Sequence, residues 1–157
     1  MVGKKLVSVF SLVGLVSLML FGCSSQNDEL TQIGILQLVE HDALDSSREG
    51  FIKALEDSGY VDGENVSLTV QNAQGDIPTT QTIAKQFVSQ NVDMIFAIAT
   101  PAAQSAYNAT KDIPILITAV TDPVEAGIVK EWEPTQTNVC GTSDMTPVAK
   151  QFELLKT

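Results

Sequence analysis

From Gln32 onward the hydrophobic period of the chain switches back and forth in a regular way, and that alternation restricts the folds open to it. Ile33, Ile35, Leu36, Leu38 and Val39 form a short apolar run, the pattern of a buried strand. Phe51, Ile52 and Leu55 then recur at helical spacing between Ala43 and Ser58, and Gly59 follows as a C-terminal cap. Val66, Leu68 and Val70 alternate with Ser67, Thr69 and Gln71, which predicts a strand with one wet face near a sheet edge. Ile77 to Gln90 reads as a helix with Ile83, Ala84, Phe87 and Val88 inward and Pro78 in its first turn. Met94 to Ala99 is a continuous apolar run, the expected central strand. Pro101 to Thr110 is an Ala-rich helix, Ile113 to Val120 a strand with Pro114 near its start, and Asp122 to Lys130 a short helical turn.

The resulting order, βαβαβαβα, predicts an α/β fold: a doubly wound parallel sheet with helices on both faces. Sheets of this kind take ligands in the crevice beyond the carboxyl ends of their strands. The residues at those ends are Glu40 to Asp45, Gln74 to Asp76, Thr100 to Ala103, and Thr121 to Pro123. Each stretch leads into a helix start, where free backbone N–H groups favour an anion such as a carboxylate. Thr100 and Thr121 could add hydroxyl donors to a shared anion, or could cap their own helices.

His41 is the single His of the chain, beside Glu40, Asp42 and Asp45. Consecutive residues cannot all face one ion, and no second His or Cys stands at ligand spacing, so no metal is expected. Cleft lining or a surface position both suit His41. Asp42 and Asp45 also suit the positive end of a helix dipole. The chain carries no Gly-x-Ser-x-Gly turn, no Gly-rich phosphate loop and no Cys-x-x-Cys, so neither catalysis nor a cofactor is indicated.

Ahead of this body, Lys4 and Lys5 precede an uncharged run from Leu6 to Phe21. The run suits a signal peptide better than a membrane span of about 20 residues. It ends at Leu20-Phe21-Gly22-Cys23, which resembles a bacterial lipobox. That resemblance implies lipidation of Cys23 after removal of residues 1–22, and attachment to the outer face of the cell membrane through a lipid anchor. Two acyl chains hold where one would not. Residues 23–30 then form a polar tether. With Cys23 lipidated, Cys140 has no disulfide partner and is expected to be a small packing residue. Net charge is −10, with 19 acidic and 9 basic residues. Cleavage would remove two Lys and no acid, which argues further against a nucleic-acid partner.

Several blocks resemble one family. They are His41-Asp42-Ala43-Leu44-Asp45, Arg48 to Phe51, Gly59 to Val66, Ala97 to Gln104, Thr118 to Pro123, and Asn138 to Pro147. Cys140 stands where Thr is more usual. Together these blocks are similar to the substrate-binding components of ABC importers, a family that includes the streptococcal tryptophan-binding lipoprotein. The resemblance implies a receptor of two α/β lobes that closes on an aromatic amino acid and presents it to a membrane permease. It also implies a ligand edge built from His41, Asp45, Thr100, Pro101, Ala102, Val120, Thr121 and Asp122. Residues 31–141 would form the first lobe. Residues 142–157 would form the crossover and the start of a second lobe, whose Val148, Phe152 and Leu155 need a partner surface. A ligand-sensing partner of a membrane receptor, or an extracytoplasmic enzyme on the same fold, are the alternative readings.

Overall fold

The computed structural model describes residues 30–156. The signal segment, Cys23 and all of the tether except Leu30 lie outside the described residues. Five strands form one parallel sheet in the order β2-β1-β3-β4-β5. They are β1 (Thr31–Gln37), β2 (Val66–Asn72), β3 (Met94–Ile98), β4 (Ile115–Val120) and β5 (Val139–Ser143). Four helices join or follow them: α1 (Asp42–Asp57), α2 (Ile77–Ser89), α3 (Thr100–Ala109) and α4 (Val148–Leu154).

Burial explains the alternation. Ile33 through Gln37 are all buried in β1, as are Ile95 through Ile98 in β3, because both strands have sheet neighbours and a helix layer on each face. On one face Ile33, Ile35, Phe96 and Ile98 pack with Phe51, Ile52 and Leu55 of α1. The Phe51 and Phe96 rings stack there at 4.1 Å between centroids. On the other face Leu36, Ile95, Ala97, Ile115 and Ile117 meet Ile83, Ala84 and Phe87 of α2 and Ala102, Ala103 and Ala106 of α3. The small residues of α3 let it lie close against α2, where the buried Thr80 and Ser105 hydroxyls stand 2.6 Å apart.

The helix ends follow local chemistry. Asp76 caps α2 by accepting the Thr79 N–H at 2.9 Å. Gly59, at φ +88, closes α1 in the left-handed conformation that glycine adopts most readily. β2 takes the expected edge position, but its burial does not alternate as expected: Val66 is buried and Val70 is exposed.

Three further sequence expectations change. The sheet has a fifth strand, β5, pairing in parallel with β4 from Ile115↔Val139 onward. Only Val139 of β5 is buried, so it carries no apolar period to read. Cys140, on that strand, is a free and exposed thiol rather than a packing residue. The expected helical segment after Asp122 shrinks to consecutive turns, with Ala126 N–H bonded to the Asp122 carbonyl at 2.9 Å.

Candidate functional site

The connections place the strand-end crevice. The chain leaves β1 through α1 to reach β2, crosses back through α2 to β3, and continues outward through α3 to β4. The winding therefore reverses between β1 and β3, which is where doubly wound sheets bind ligands. The loop after β1 carries His41 and leads to Asp45. The junction after β3 carries Thr100, Pro101 and Ala102.

The β3–α3 junction is unusually tight. Ala99 sits at φ +84 and ψ 154 and precedes α3 with no side-chain cap. That backbone region is essentially reserved for glycine and costs about 1–3 kcal/mol for other residues. Ala99 holds it while its N–H donates to the Thr118 carbonyl at 3.0 Å and its carbonyl accepts from Ala103 at 3.0 Å. The Thr100 and Ala102 N–H groups stand in the first turn of α3, where a helix has no internal acceptor for them, and Pro101 has no N–H to satisfy. Anions are favoured at such an end.

Next to it, β4 ends in a second irregularity. Its pairing with β5 shifts register between Ile117 and Val120, and Ala119 adopts φ +54. Thr100, Thr121, Asp122, Glu125 and Ala126 then line one open depression of about 230 Å³. The two Thr residues that the sequence paired thus share one cavity, and neither hydroxyl serves as a cap. In the turn after β4 it is Asp122 that satisfies the backbone: its Oδ1 accepts the Val124 and Glu125 N–H groups at 2.9 and 3.0 Å, while α3 keeps no side-chain cap. Ala102 and Val120 are fully buried, so their side chains belong to the core.

His41 and Asp45 form a separate group. His41 is exposed and caps α1, its Nδ1 accepting the Ala43 N–H at 3.2 Å. Asp45 Oδ1 accepts from Gln37 Nε2 at 2.8 Å and from Arg48 Nη1 at 3.1 Å. Arg48 Nη1 also donates to Gln37 Oε1 at 2.6 Å. The Gln37 hydrogen bond foremost, and the Arg48 charge with it, hold the Asp45 carboxyl below its ordinary range. Sequence reasoning passed over Gln37 and gave Arg48 no role beyond its place in a family-like block. The one available signal was a polar Gln breaking the apolar run of β1.

Known proteins resemble this chain in sequence and fold. Residues 32–157 match the family model described as ABC transporter substrate binding protein. The curated tyrosine-binding protein of Clostridioides difficile (strain R20291) is 54% identical over 168 residues, which cover 98% of this chain and 48% of that protein. A solved ligand-free, open structure of a substrate binding protein with adhesive properties from Clostridium difficile superposes with a TM-score of 0.78 at 63% identity. The match covers 81% of this chain and 43% of that one. The ABC domain from Streptococcus pneumonia solved in complex with L-Trp gives a TM-score of 0.77 at 40% identity, over 81% and 43% of the two chains. The chain therefore spans about half the length of the relatives it matches.

Proposed function

The chain belongs to the ABC transporter substrate-binding protein family, and from that premise we propose that it is a lipid-anchored receptor for an aromatic amino acid. It sits on the outer face of the cell membrane through Cys23 and hands its ligand to an ABC permease. It binds and does no chemistry. The carrying observation is the depression shared by Thr100 and Thr121 beside the uncapped start of α3. Two hydroxyls and the free amides of a helix start suit an amino-acid carboxylate. Relatives named for tyrosine binding and solved with L-Trp support the aromatic class. On this reading the β1–α1 loop with His41, and Asp45 just inside α1, face the ligand from the β1 side of the strand ends.

On this reading residues 31–141 form one lobe, and residues 142–157, with α4 among them, form the crossover and begin a second. Val148, Phe152 and Leu155 are 51%, 62% and 80% exposed, as an apolar helix face is before a second lobe packs on it. Closure of two lobes on the ligand would give the permease a distinct liganded shape to recognise.

Two experiments test this. Calorimetry with L-tyrosine and L-tryptophan compares this chain alone with a chimera in which the second half of the Clostridioides difficile tyrosine-binding protein follows it. The chimera should bind one of the two; silence toward both removes the aromatic assignment. Membrane fractionation tests the anchor: Cys23→Ala should move the protein to the soluble fraction, and retention of a normally processed protein in the membrane would refute lipidation at Cys23.

A further inference from the structure

The end of β1 holds a polar group that core packing does not call for. Gln37 follows four buried residues, Ile33 to Leu36, and is itself 0% exposed. A buried amide is tolerated when its donors and acceptor all find partners. Here they do, and the partners all lie on the loop or its flanks. Nε2 donates to the Val39 carbonyl and to Asp45 Oδ1, both at 2.8 Å. Oε1 accepts from Arg48 Nη1 at 2.6 Å, and the same nitrogen reaches Asp45 Oδ1 at 3.1 Å. Three side chains thus close a ring between the last residue of β1 and the first two turns of α1. The ring brackets the loop of residues 38–41, with Val39 tied into it and His41 fixed at the far side by its cap to Ala43.

The ring is not needed for either element it joins. An apolar side chain at position 37 would bury as well with no partners to find, and a buried polar ring is weak evidence of stabilisation in itself. Helix α1 already has an N-cap in His41. What the ring does fix is the loop at the point where the sheet winding reverses.

We propose that Gln37 and Arg48 are positioning residues that hold Asp45 and the β1–α1 loop in the conformation that receives the ligand, and so set affinity without touching it. This rests on the reading that the strand-end crevice is the ligand edge. A loop ordered before binding has less entropy to lose when the ligand arrives.

Hydrogen exchange on the complete, ligand-free chain is the first test. Arg48→Ala and Gln37→Leu should speed exchange of the amides of residues 39–45 by about tenfold while those of β3 stay unchanged, the pattern of a local opening. Arg48→Lys, which keeps the charge, should fall between. Arg48 is less buried than Gln37, with a side-chain exposure of 22%, so its variants are expected to fold even if Gln37→Leu does not. The second test is L-tyrosine affinity in the chimera, expected to fall about tenfold in Arg48→Ala with partial rescue by Arg48→Lys. Unchanged loop exchange would overturn the proposal even if affinity fell, since Arg48 would then be a direct ligand contact. Faster exchange at unchanged affinity would also overturn it. A chimera that binds neither L-tyrosine nor L-tryptophan before any substitution refutes the aromatic ligand instead, and loop exchange then decides alone whether the ring holds the loop.

Discussion

Gly34 and Phe87 compete for one volume: a Cβ on Gly34 would stand 2.6 Å from Cδ2 of Phe87. Gly34 is buried in β1 and Phe87 is fully buried on α2, so the ring fills the place of the missing side chain. The glycine is required by close approach and not by backbone conformation. Gly34→Ala should therefore overpack the core and cost about 1–3 kcal/mol. A lower urea midpoint at unchanged m-value checks this. Trimming the ring in the pair Gly34→Ala with Phe87→Leu should recover part of the loss.

The α2–α3 contact offers a second test. Thr80 and Ser105 share a buried hydroxyl pair at 2.6 Å, and Thr80 Oγ1 also reaches the Ile77 carbonyl at 2.6 Å. Thr80→Val leaves the Ser105 hydroxyl buried without that partner, a loss of about 1–3 kcal/mol. Adding Ser105→Ala removes the orphan, so the double variant should be more stable than the sum of the single losses predicts. A double-mutant cycle by chemical denaturation measures the coupling.

Much of this fold is legible in the sequence because its inner strands are buried on both faces. Such strands appear as unbroken apolar runs, and Met94 to Ile98 could hardly be read otherwise. Once the alternation is seen, the strand-end positions of Thr100 and Thr121 follow without any structure. β5 is different. Val139-Cys140-Gly141-Thr142-Ser143 has one buried side chain, so it is a strand only because β4 offers it an edge, a tertiary effect that local pattern cannot carry. The Gln37–Asp45–Arg48 ring is hidden for a related reason. Its members lie 8 and 11 residues apart, and only the turn from β1 into α1 brings them together.

Ala99 bears on stability and binding together. Its backbone, at φ +84 and ψ 154, strains an alanine where glycine would be at ease. Glycine at most positions destabilises a fold by loosening the unfolded chain. Ala99→Gly should instead leave the melting temperature unchanged or raised, whereas Ala97→Gly in the neighbouring core should lower it. Thermal unfolding of the two variants side by side makes the comparison.

Thr100 and Thr121 are predicted to act on the ligand carboxylate. A hydrogen bond to a charged group contributes about 1.5–3 kcal/mol. Thr100→Val in the chimera should therefore weaken L-tyrosine binding by roughly tenfold or more, while urea stability stays close to that of the parent. Thr121→Val, at an exposed position, should do the same to a similar extent. Calorimetry gives the affinities, and equal binding by parent and both variants would place the carboxylate elsewhere.

Asp45 sets the expected response to acid. Its carboxyl titrates below its ordinary value of 3.8, chiefly because Gln37 donates to the ionised form and Arg48 stands beside it. Among the elements α1 packs on, β3 and β4 carry no titratable side chain, and the titratable groups nearby, Glu40 and His41 on the adjoining loop and Asp42 at the start of α1, are exposed. A group whose pKa is lower in the folded state stabilises that state above its unfolded value and stops doing so as pH falls through the folded one. The ring contribution should thus be constant from pH 7 to about pH 5 and fade progressively below that, as pH falls through the unfolded and then the folded value. Asp45→Asn cannot titrate, so its acid unfolding should lack this component, and the gap in stability between it and the parent should narrow as pH drops. Urea titrations from pH 7 to pH 3 follow that gap. A gap of constant size throughout would mean that the Asp45 carboxylate is no better held in the folded chain than in the unfolded one.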